Sequence, residues 1–216
     1  EALTAIGVAE LSVDLNLPPL VGELAAGLGL DAAEVAELRG ALDRKDAAAV
    51  KDLAGKHDKL FQALLRTAGP AEKAMAALEK LELPQAAANE VRRLGRVVNQ
   101  IRAAAPEARI TVDPAEHRGF EYQTGISFIL FARGVRGELG RGGRYAAAGP
   151  NGSTESSTGF TFYLDTVLRA LPSPERGKRI YLPFGTAPAE GRRLRDDGWV
   201  TLAGLAQEDD AKAEAR

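Results

Sequence analysis

The chain contains no cysteine, one methionine, one tryptophan and two histidines among its 216 residues. The absence of cysteine excludes disulfide bonds, zinc–thiolate sites and thiol catalysis, and it fits a reducing compartment. His57 is interpreted as a surface or helix-packing residue and His117 as a strand-edge residue, rather than as ligands. No apolar run approaches the roughly 18 residues that span a bilayer, and no signal-like segment opens the chain. The sequence therefore predicts a cytoplasmic protein that does not cross a membrane.

The remaining composition is ordinary for a soluble globular protein, with 45% hydrophobic and 27% charged residues. The length allows one large domain, or one domain with a smaller companion. A net charge of -2 and a pI near 5.9 give no overall attraction to nucleic acid or anionic membranes. The chain begins without methionine inside one apparent helix and stops inside another, so we expect a fragment of a longer protein.

The first half of the chain reads as one strand followed by a helical region. Residues 11–17 alternate between leucine or valine and polar side chains, which predicts a strand that ends at Pro18. Helical periodicity follows from about residue 19 to 104, with Asp31 and Asp58 as predicted N-caps. The last helix has an arginine-rich face, which is typical of a solvated surface; contact with an acidic partner or RNA is the alternative. Its arginines are Arg92, Arg93, Arg96 and Arg102.

From residue 109 onward the period changes from helical to two, which predicts an antiparallel hairpin. One strand covers residues 120–130, ARGVRG forms the turn, and ELGRGGRY forms the return strand. The segment AAAGPNGSTESSTG is rich in small and turn-forming residues, and we predict a mobile loop there. FTFYLDTVLRAL then reads as a strand that runs into a helix.

The segment PSPERGK marks a linker, because the pattern after it alternates strand, helix, strand and helix. Such alternation indicates a small, partial α/β domain at residues 178–216. The preceding core covers residues 1–172, with a helical insertion at about 31–104 and the sheet with its ligand pocket at about 109–171. The predicted class is therefore α+β, followed by a partial α/β domain.

Arginines and glycines concentrate between residues 118 and 144, where five arginines accompany two glutamates. A guanidinium matches carboxylate or phosphate oxygens with two parallel hydrogen bonds, so arginines beside glycine-rich strands suggest an anion held close to the backbone. A bulge at Gly140, Gly142 and Gly143 with solvated arginines is the plainer interpretation. The residue types alone do not decide between the two.

The order of the motifs carries more information than each motif alone. HRGFEYQTG is followed by the hairpin, by GRGGRY and, after the loop, by GFTFYLDTVLRAL. This order resembles the histidyl-tRNA synthetase family, whose histidine-binding segment reads R-G-[LF]-[DE]-Y-Y-T-G before a G-G-R-Y strand. SVDLNLPPLV, ALDRKDAAAV and RGFEYQTGISF look most like the paralogue that serves as regulatory subunit of ATP phosphoribosyltransferase. The resemblance implies a class II aminoacyl-tRNA synthetase-like antiparallel sheet with a helical insertion.

The resemblance also implies that adenylation is lost. The synthetases carry G-F-A-I-G-L-E-R after the loop, with its arginine against ATP; in that register this chain has Tyr163 for the second glycine and Thr166 for the arginine. A neutral hydroxyl cannot replace a bidentate, permanently charged guanidinium, and a tyrosine ring fills the space of the adenylate. Arg169 would reach the site only if the helix shifted. We therefore expect a degenerate ATP site at Tyr163 and Thr166, with no catalytic residue, metal or cofactor.

The amino-acid side of the site is only half altered relative to the synthetases. Arg118 matches the arginine that assists activation and Tyr122 the first of two pocket tyrosines, while Gln123 replaces the second. Arg118 would pair with a ligand carboxylate, and Glu121 and Tyr122 would offer partners to an imidazole or amine. A structural ion pair between Arg118 and Glu121 is the alternative. The predicted histidine-like pocket comprises Arg118, Glu121, Tyr122, Gln123, Thr124, Gly125, Gly142, Gly143, Arg144 and Tyr145.

The function implied by the resemblance is a non-catalytic regulatory subunit in the first step of histidine biosynthesis. It would support the short catalytic subunit of ATP phosphoribosyltransferase and mediate feedback by histidine, as a homodimer within a hetero-oligomer. Histidine would act at a distance by binding two assembly states with different affinity. A histidyl-tRNA synthetase fragment is the alternative, although residues 175–216 carry eight basic and eight acidic residues where tRNA favours a basic surface. A stand-alone histidine-sensing or dimerisation module is a third interpretation.

Overall fold

The computed structural model describes residues 2–116, 122–173 and 177–207. The chain forms two compact units, residues 1–172 and residues 173–216. None of the helices within the described segments combines the length and the apolar character that a membrane span needs.

The first unit contains a six-stranded, mostly antiparallel sheet. Its strands are β1 (Leu11–Asn16), β2 (Gly69–Pro70), β3 (Arg109–Asp113), β4 (Gln123–Ala132), β5 (Gly140–Ala148) and β6 (Thr154–Phe162). They lie in the order β2-β3-β1-β4-β5-β6, and only the β1–β3 pair is parallel. The predicted strand at the start of the chain and the predicted β4–β5 hairpin are therefore confirmed.

Most helices of the first unit lie between β1 and β3 in the sequence. The helices of this unit are α1 (Ala2–Ala5), α2 (Pro19–Leu28), α3 (Ala32–Asp43), α4 (Ala47–Ala54), α5 (Asp58–Leu65), α6 (Ala71–Leu78), α7 (Gln85–Ala104) and, after β6, α8 (Leu164–Ala170). Asp31 caps α3 through a capping box with Glu34, as predicted. The prediction that Asp58 caps α5 is wrong, because a 3₁₀ turn at Gly55–His57 leads into the helix and Asp58 is already its first residue.

The sheet has one apolar face and one polar face, because strand side chains alternate and directly paired residues point to the same side. Leu15 is paired with Phe128 on the apolar face, which packs with α2, α3, α5, α6 and α7 into the main core. Asn16 is paired with Ser127 on the polar face, where Asp14 also lies. The two faces therefore offer different chemistry to a ligand.

The mobile loop predicted for the segment AAAGPNGSTESSTG is mostly part of a second hairpin, formed by β5 and β6, so that prediction is wrong. β5 and β6 pair continuously from Gly140 with Phe162 to Ala148 with Thr154. The turn is confined to a short segment in which Asn151 and Gly152 adopt left-handed backbone conformations, with φ of 59° and 75°. The serines and threonines that suggested a loop instead pair their backbone with β5, since threonine suits a strand well.

The second unit is a β-α-β arrangement. It consists of β7 (Arg179–Leu182), α9 (Pro188–Asp196) and β8 (Val200–Ala203), and the two strands run parallel. The predicted strand, helix and strand are confirmed here, whereas the predicted next helix lies outside the described residues.

Candidate functional site

The residues of the predicted histidine-like pocket lie on and beside β4 and β5, with two exceptions. Arg118 and Glu121 lie outside the described residues, as does His117. Tyr122 directly precedes β4, where Gln123, Thr124 and Gly125 follow. Gly142, Gly143, Arg144 and Tyr145 are consecutive residues of β5.

Three tyrosines surround a cavity of about 390 Å³ over β5 and β6. The rings of Tyr122 and Tyr145 meet edge to face, with centroids 6.1 Å apart and an interplanar angle of 66°. Tyr163 lies at the end of β6 and is 36% exposed. Aromatic walls around a glycine-rich floor suit a small, flat ligand with a polar group. The cavity is lined by Tyr122, Arg141, Gly142, Tyr145, Gly159, Phe160, Thr161 and Tyr163.

Two paired glycines, Gly143 of β5 and Gly159 of β6, form a floor beside this cavity. A Cβ atom on Gly143 would lie 2.6 Å from Oε1 of Gln123, and one on Gly159 would lie 3.2 Å from the Tyr145 ring. The side chains of Gln123 and Tyr145 therefore occupy the space that the glycines leave. The irregular pairing in this region lies on β4, between Gln123 and Ser127, and not at the glycines, where a bulge was one of the two interpretations.

Arg144 does not share the pocket of Tyr145 and lies instead on the apolar face of the sheet. It is paired with Thr158, one residue out of phase with Gly143 and Tyr145, and a one-residue step reverses the face. Its Nε donates a hydrogen bond of 2.8 Å to Oγ of Ser156. The inclusion of Arg144 in the histidine-like pocket is corrected accordingly.

Thr124 and Gly125 also lie away from the tyrosine cavity. Thr124 is exposed, and a Cβ atom on Gly125 would lie 3.1 Å from Cβ of Arg144. The irregular segment of β4 therefore turns these two residues toward solvent and toward Arg144, and not toward Tyr122.

A second cavity, of about 530 Å³, separates α7 from the apolar face of the sheet. Arg93 and Arg96 of the basic helix face line it together with Arg144. Arg93 pairs with Glu90 at 3.0 Å. Part of the predicted basic face thus borders a groove; contact with an acidic partner or RNA stays the alternative to a solvated face.

The two residues of the predicted degenerate ATP site occupy different surroundings. Tyr163 lines the tyrosine cavity, whereas Thr166 on α8 is only 5% exposed. Oγ1 of Thr166 accepts a hydrogen bond of 2.9 Å from Nη2 of Arg169, whose Nη1 donates to Asp165 at 3.0 Å. Arg169 is therefore held on its own helix and does not line the cavity beside Tyr163.

Among the described residues, Arg141 supplies a guanidinium to the lining of the tyrosine cavity. It forms a bidentate ion pair with Glu138, in which Nε donates to Oε2 at 2.8 Å and Nη2 donates to Oε1. The hydrogen bonds to Glu138 raise the pKa of the Arg141 guanidinium above its ordinary value. The carboxylate of Glu138 thus neutralises the positive charge of Arg141, which a bound triphosphate would need.

A second polar cluster lies on the same sheet face, around β1 and β3. Asn16 Nδ2 donates to Glu116 Oε2 at 3.2 Å, and Lys45 pairs with Asp113 at 2.6 Å. Burial raises the pKa values of Asp14 and Glu116. We did not predict these residues as site residues, although the alternation of β1 already placed Asp14 and Asn16 on one face.

Comparison with known proteins places this geometry in a family. The family model described as histidyl-tRNA synthetase matches residues 1–167. The ATP phosphoribosyltransferase regulatory subunit of Rhodospirillum centenum is 50% identical over 215 residues, which is 100% of this chain and 55% of that protein. The chain thus spans about half the length of the curated relatives it matches.

Solved structures share the fold at lower identity. An ATP phosphoribosyltransferase regulatory subunit/histidyl-tRNA synthetase from Bacillus halodurans superposes with a TM-score of 0.68 at 20% identity, covering 98% of this chain and 58% of that one. A chain of the ATP phosphoribosyl transferase complex from Thermotoga maritima gives a TM-score of 0.55 at 15% identity, covering 70% and 53%. The chain belongs to the histidyl-tRNA synthetase family, and its sheet and helices have the class II synthetase-like fold of that family.

Proposed function

We propose that this chain is part of a non-catalytic regulatory subunit of ATP phosphoribosyltransferase, which acts in the cytoplasm in the first step of histidine biosynthesis. The 50% identical relative from Rhodospirillum centenum bears that name. The observation that carries the proposal is Thr166, a buried, neutral side chain at the position where the synthetases hold an arginine against ATP.

The charges around Tyr163 support a loss of nucleotide chemistry. The guanidinium of Arg141 is paired with Glu138, and that of Arg169 is bound to Asp165 and Thr166. A triphosphate carries several negative charges, which need cations that are not already neutralised. Binding without adenylation is therefore the chemistry that this part of the site favours.

The partner in this proposal is the short catalytic subunit of ATP phosphoribosyltransferase. The similar chain from Thermotoga maritima belongs to an ATP phosphoribosyl transferase complex, which supports assembly of this kind. The regulatory subunit would form a homodimer within the hetero-oligomer. tRNA is not expected as a partner, because the chain carries a net charge of -2.

Histidine is the proposed effector, and the tyrosine cavity is its proposed site. Tyr122 and Tyr145 offer aromatic walls and hydroxyl groups, and Gln123 offers an amide. Gly142 lines the cavity, and Gly143 lies next to it under the Gln123 side chain. Arg118 and Glu121 are proposed to complete the pocket, with Arg118 on the carboxylate of the ligand. Feedback then follows if histidine binds the assembled states with different affinity.

Reconstitution tests the proposal directly. The full-length subunit is co-purified with the short catalytic subunit, and phosphoribosyl transfer to ATP is measured with and without histidine. We expect a stable complex, higher activity than the catalytic subunit alone, and inhibition by histidine. Failure to form a complex, together with histidine-dependent ATP–pyrophosphate exchange by the full-length protein, would identify a synthetase instead.

A further inference from the structure

The cavity of about 530 Å³ between α7 and the apolar face of the sheet has no role in the proposed function. We call it the α7 groove, and its volume falls within the range of small-molecule sites. It shares no lining residue with the tyrosine cavity. Its lining contains three arginines and neither aspartate nor glutamate: Leu15, Arg93, Arg96, Val97, Gln100, Ile101, Ile126, Phe128, Gly143, Arg144 and Thr158.

The floor of the α7 groove is apolar. Leu15 is buried, whereas Val97, Ile101, Ile126 and Phe128 are only partly buried although they pack against the main core. Partly covered aliphatic and aromatic side chains lower the free energy of the complex when a ligand removes their remaining surface from water. The floor therefore favours a ligand with an apolar body.

The sequence of α7 brings apolar and basic side chains to the same space. One stripe of the helix is buried in the main core. A second stripe, with the helical spacing of three and four residues, lines the groove instead. That stripe consists of Arg93, Arg96, Val97, Gln100 and Ile101.

Two guanidiniums of the α7 groove have no carboxylate partner within the part of the chain that the structure describes. Arg96 belongs to α7 and Arg144 to β5, so the two lie on opposite walls. Nε of Arg144 donates to Oγ of Ser156 at 2.8 Å, which leaves its two terminal amino groups for other acceptors. Arg93 is already paired with Glu90 at 3.0 Å. The groove therefore combines uncompensated positive charge with an apolar floor.

This combination favours one class of ligand. A cation would be repelled by Arg96 and Arg144, and a wholly apolar molecule would gain nothing from the two guanidiniums. A nucleic-acid strand would place sugars and phosphates on the apolar floor, and the volume suits a small molecule better. A carboxylate or phosphate accepts parallel hydrogen bonds from a guanidinium, while an apolar body attached to it covers the floor.

We propose that the α7 groove binds a small amphiphilic anion. Its carboxylate or phosphate lies between Arg96 and Arg144, and its apolar body lies on Val97, Ile101 and Phe128. The groove is on the apolar face of the sheet, so this site is separate from the proposed histidine site over β5 and β6.

Binding of decyl compounds to the full-length subunit, measured by calorimetry below their micelle-forming concentrations, tests the charge preference. Decanoate and decyl phosphate carry the two anionic heads, and decyltrimethylammonium carries a cationic head on the same chain. We expect at least one of the anions to bind roughly tenfold or more tightly than the cation. The tighter anion identifies the preferred head group. Butanoate, whose chain is much shorter, should bind at least roughly tenfold more weakly than decanoate, because it covers less of the floor.

Two pairs of variants on α7 locate the site. Arg96→Gln should weaken binding of the preferred anion by roughly three- to tenfold, whereas Arg92→Gln removes a guanidinium that does not line the groove. Gln100→Trp places a bulky ring in the groove and should abolish binding, whereas Asn99→Trp places that ring at the neighbouring position outside it. Both controls should bind as the wild type does. All four side chains are exposed, so we expect each variant to fold, and its melting temperature verifies this.

Three results would overturn the proposal. The first is that neither anion binds the wild-type protein. The second is equal affinity for the anions and for decyltrimethylammonium, which indicates adsorption of the alkyl chain alone. The third is an equal loss of affinity in Arg96→Gln and Arg92→Gln, or in Gln100→Trp and Asn99→Trp. Histidine binding and assembly with the catalytic subunit are measured separately, so failure of this site is distinguishable from failure of the proposed function.

Discussion

The hydroxyl of Thr166 accepts a hydrogen bond from the guanidinium of Arg169, at 2.9 Å. The one arginine of α8 is thereby bound, one helical turn away, to the residue that the resemblance places at the position of the synthetase arginine. The helix keeps a cation near the proposed degenerate ATP site but directs it along its own surface. This contact connects residue 166 to the proposed loss of adenylation.

We predict that the full-length protein shows no histidine-dependent ATP–pyrophosphate exchange. The physical reason is that, within the described residues, the guanidinium beside Tyr163 belongs to Arg141, which is already paired with Glu138. Thr166→Arg alone should not restore exchange, because residue 166 is buried and a charge there is poorly solvated. Radiolabelled pyrophosphate exchange measures both, and signal above background in the wild-type protein would contradict the prediction.

Replacement of Arg118 by alanine should weaken feedback by histidine. Loss of a charged hydrogen bond to the ligand carboxylate corresponds to about 1.5–3 kcal/mol, or roughly 10- to 150-fold in inhibition constant. Arg144→Ala is the matched control, because Arg144 lies on the opposite face of the sheet and should leave inhibition unchanged. Histidine titrations of the reconstituted complex give both constants. Equal inhibition constants for wild type and Arg118→Ala would remove Arg118 from the effector site.

Gly143→Ala should destabilise the protein by about 1–3 kcal/mol. The added Cβ would lie 2.9 Å from the backbone oxygen of Ile126, which cannot move as easily as the nearby Gln123 side chain. Gly95→Ala in the middle of α7 is the control, since its Cβ would meet only the flexible end of Met75 at 3.3 Å. That control should stabilise the helix by about 0.5–1 kcal/mol. Urea unfolding of both variants checks the two signs, and a neutral Gly143→Ala would argue against the crowded floor.

The stability of the fold should depend on the ionisation of Asp14. Burial raises the pKa of this carboxyl above its ordinary value of 3.8, so the folded state binds a proton more tightly than the unfolded chain does. The contribution of Asp14 to stability is therefore present at low pH and is lost as the pH rises from about 4 through the raised pKa. Asp14→Asn keeps an acceptor for Thr111 and should reduce the fall in melting temperature over that range.

The control for Asp14→Asn is a carboxyl with the opposite shift. The hydrogen bond from Arg169 lowers the pKa of Asp165, so any contribution of Asp165 is present above pH 4 and is lost as the pH falls. The melting temperatures of Asp14→Asn and of the matched Asp165→Asn variant are measured at a series of pH values. They distinguish a carboxyl with a raised pKa from one with a lowered pKa. A steeper decline with rising pH in Asp14→Asn would contradict the assigned cause.

Local alternation in the sequence was sufficient to predict β1 and the β4–β5 hairpin. Strand faces follow directly from a period of two, so the polar face around Asp14 and Asn16 was already visible. The face of Arg144 could have been inferred in the same way. The motif GRGGRY was instead assigned to the pocket as a whole, although neighbouring residues of a strand point to opposite faces. The end of β6 was predicted from FTFYLDTVLRAL, whereas its first part was taken for a loop because serine and threonine are common in loops. Only the partner strand reveals the backbone pairing of that part. The α7 groove depends on the packing of a helix against strands that are distant in the chain, which no local pattern contains.

β6 is the outermost of the described strands on its side of the sheet, and it is nine residues long. Its outer backbone groups form a ready template for another strand, and Phe160 is 65% exposed beside them. A strand added there would become a further wall of the cavity that contains Tyr163. A polypeptide that joined this edge would therefore change the depth of the cavity. The affinity of the cavity for a small molecule would change with it.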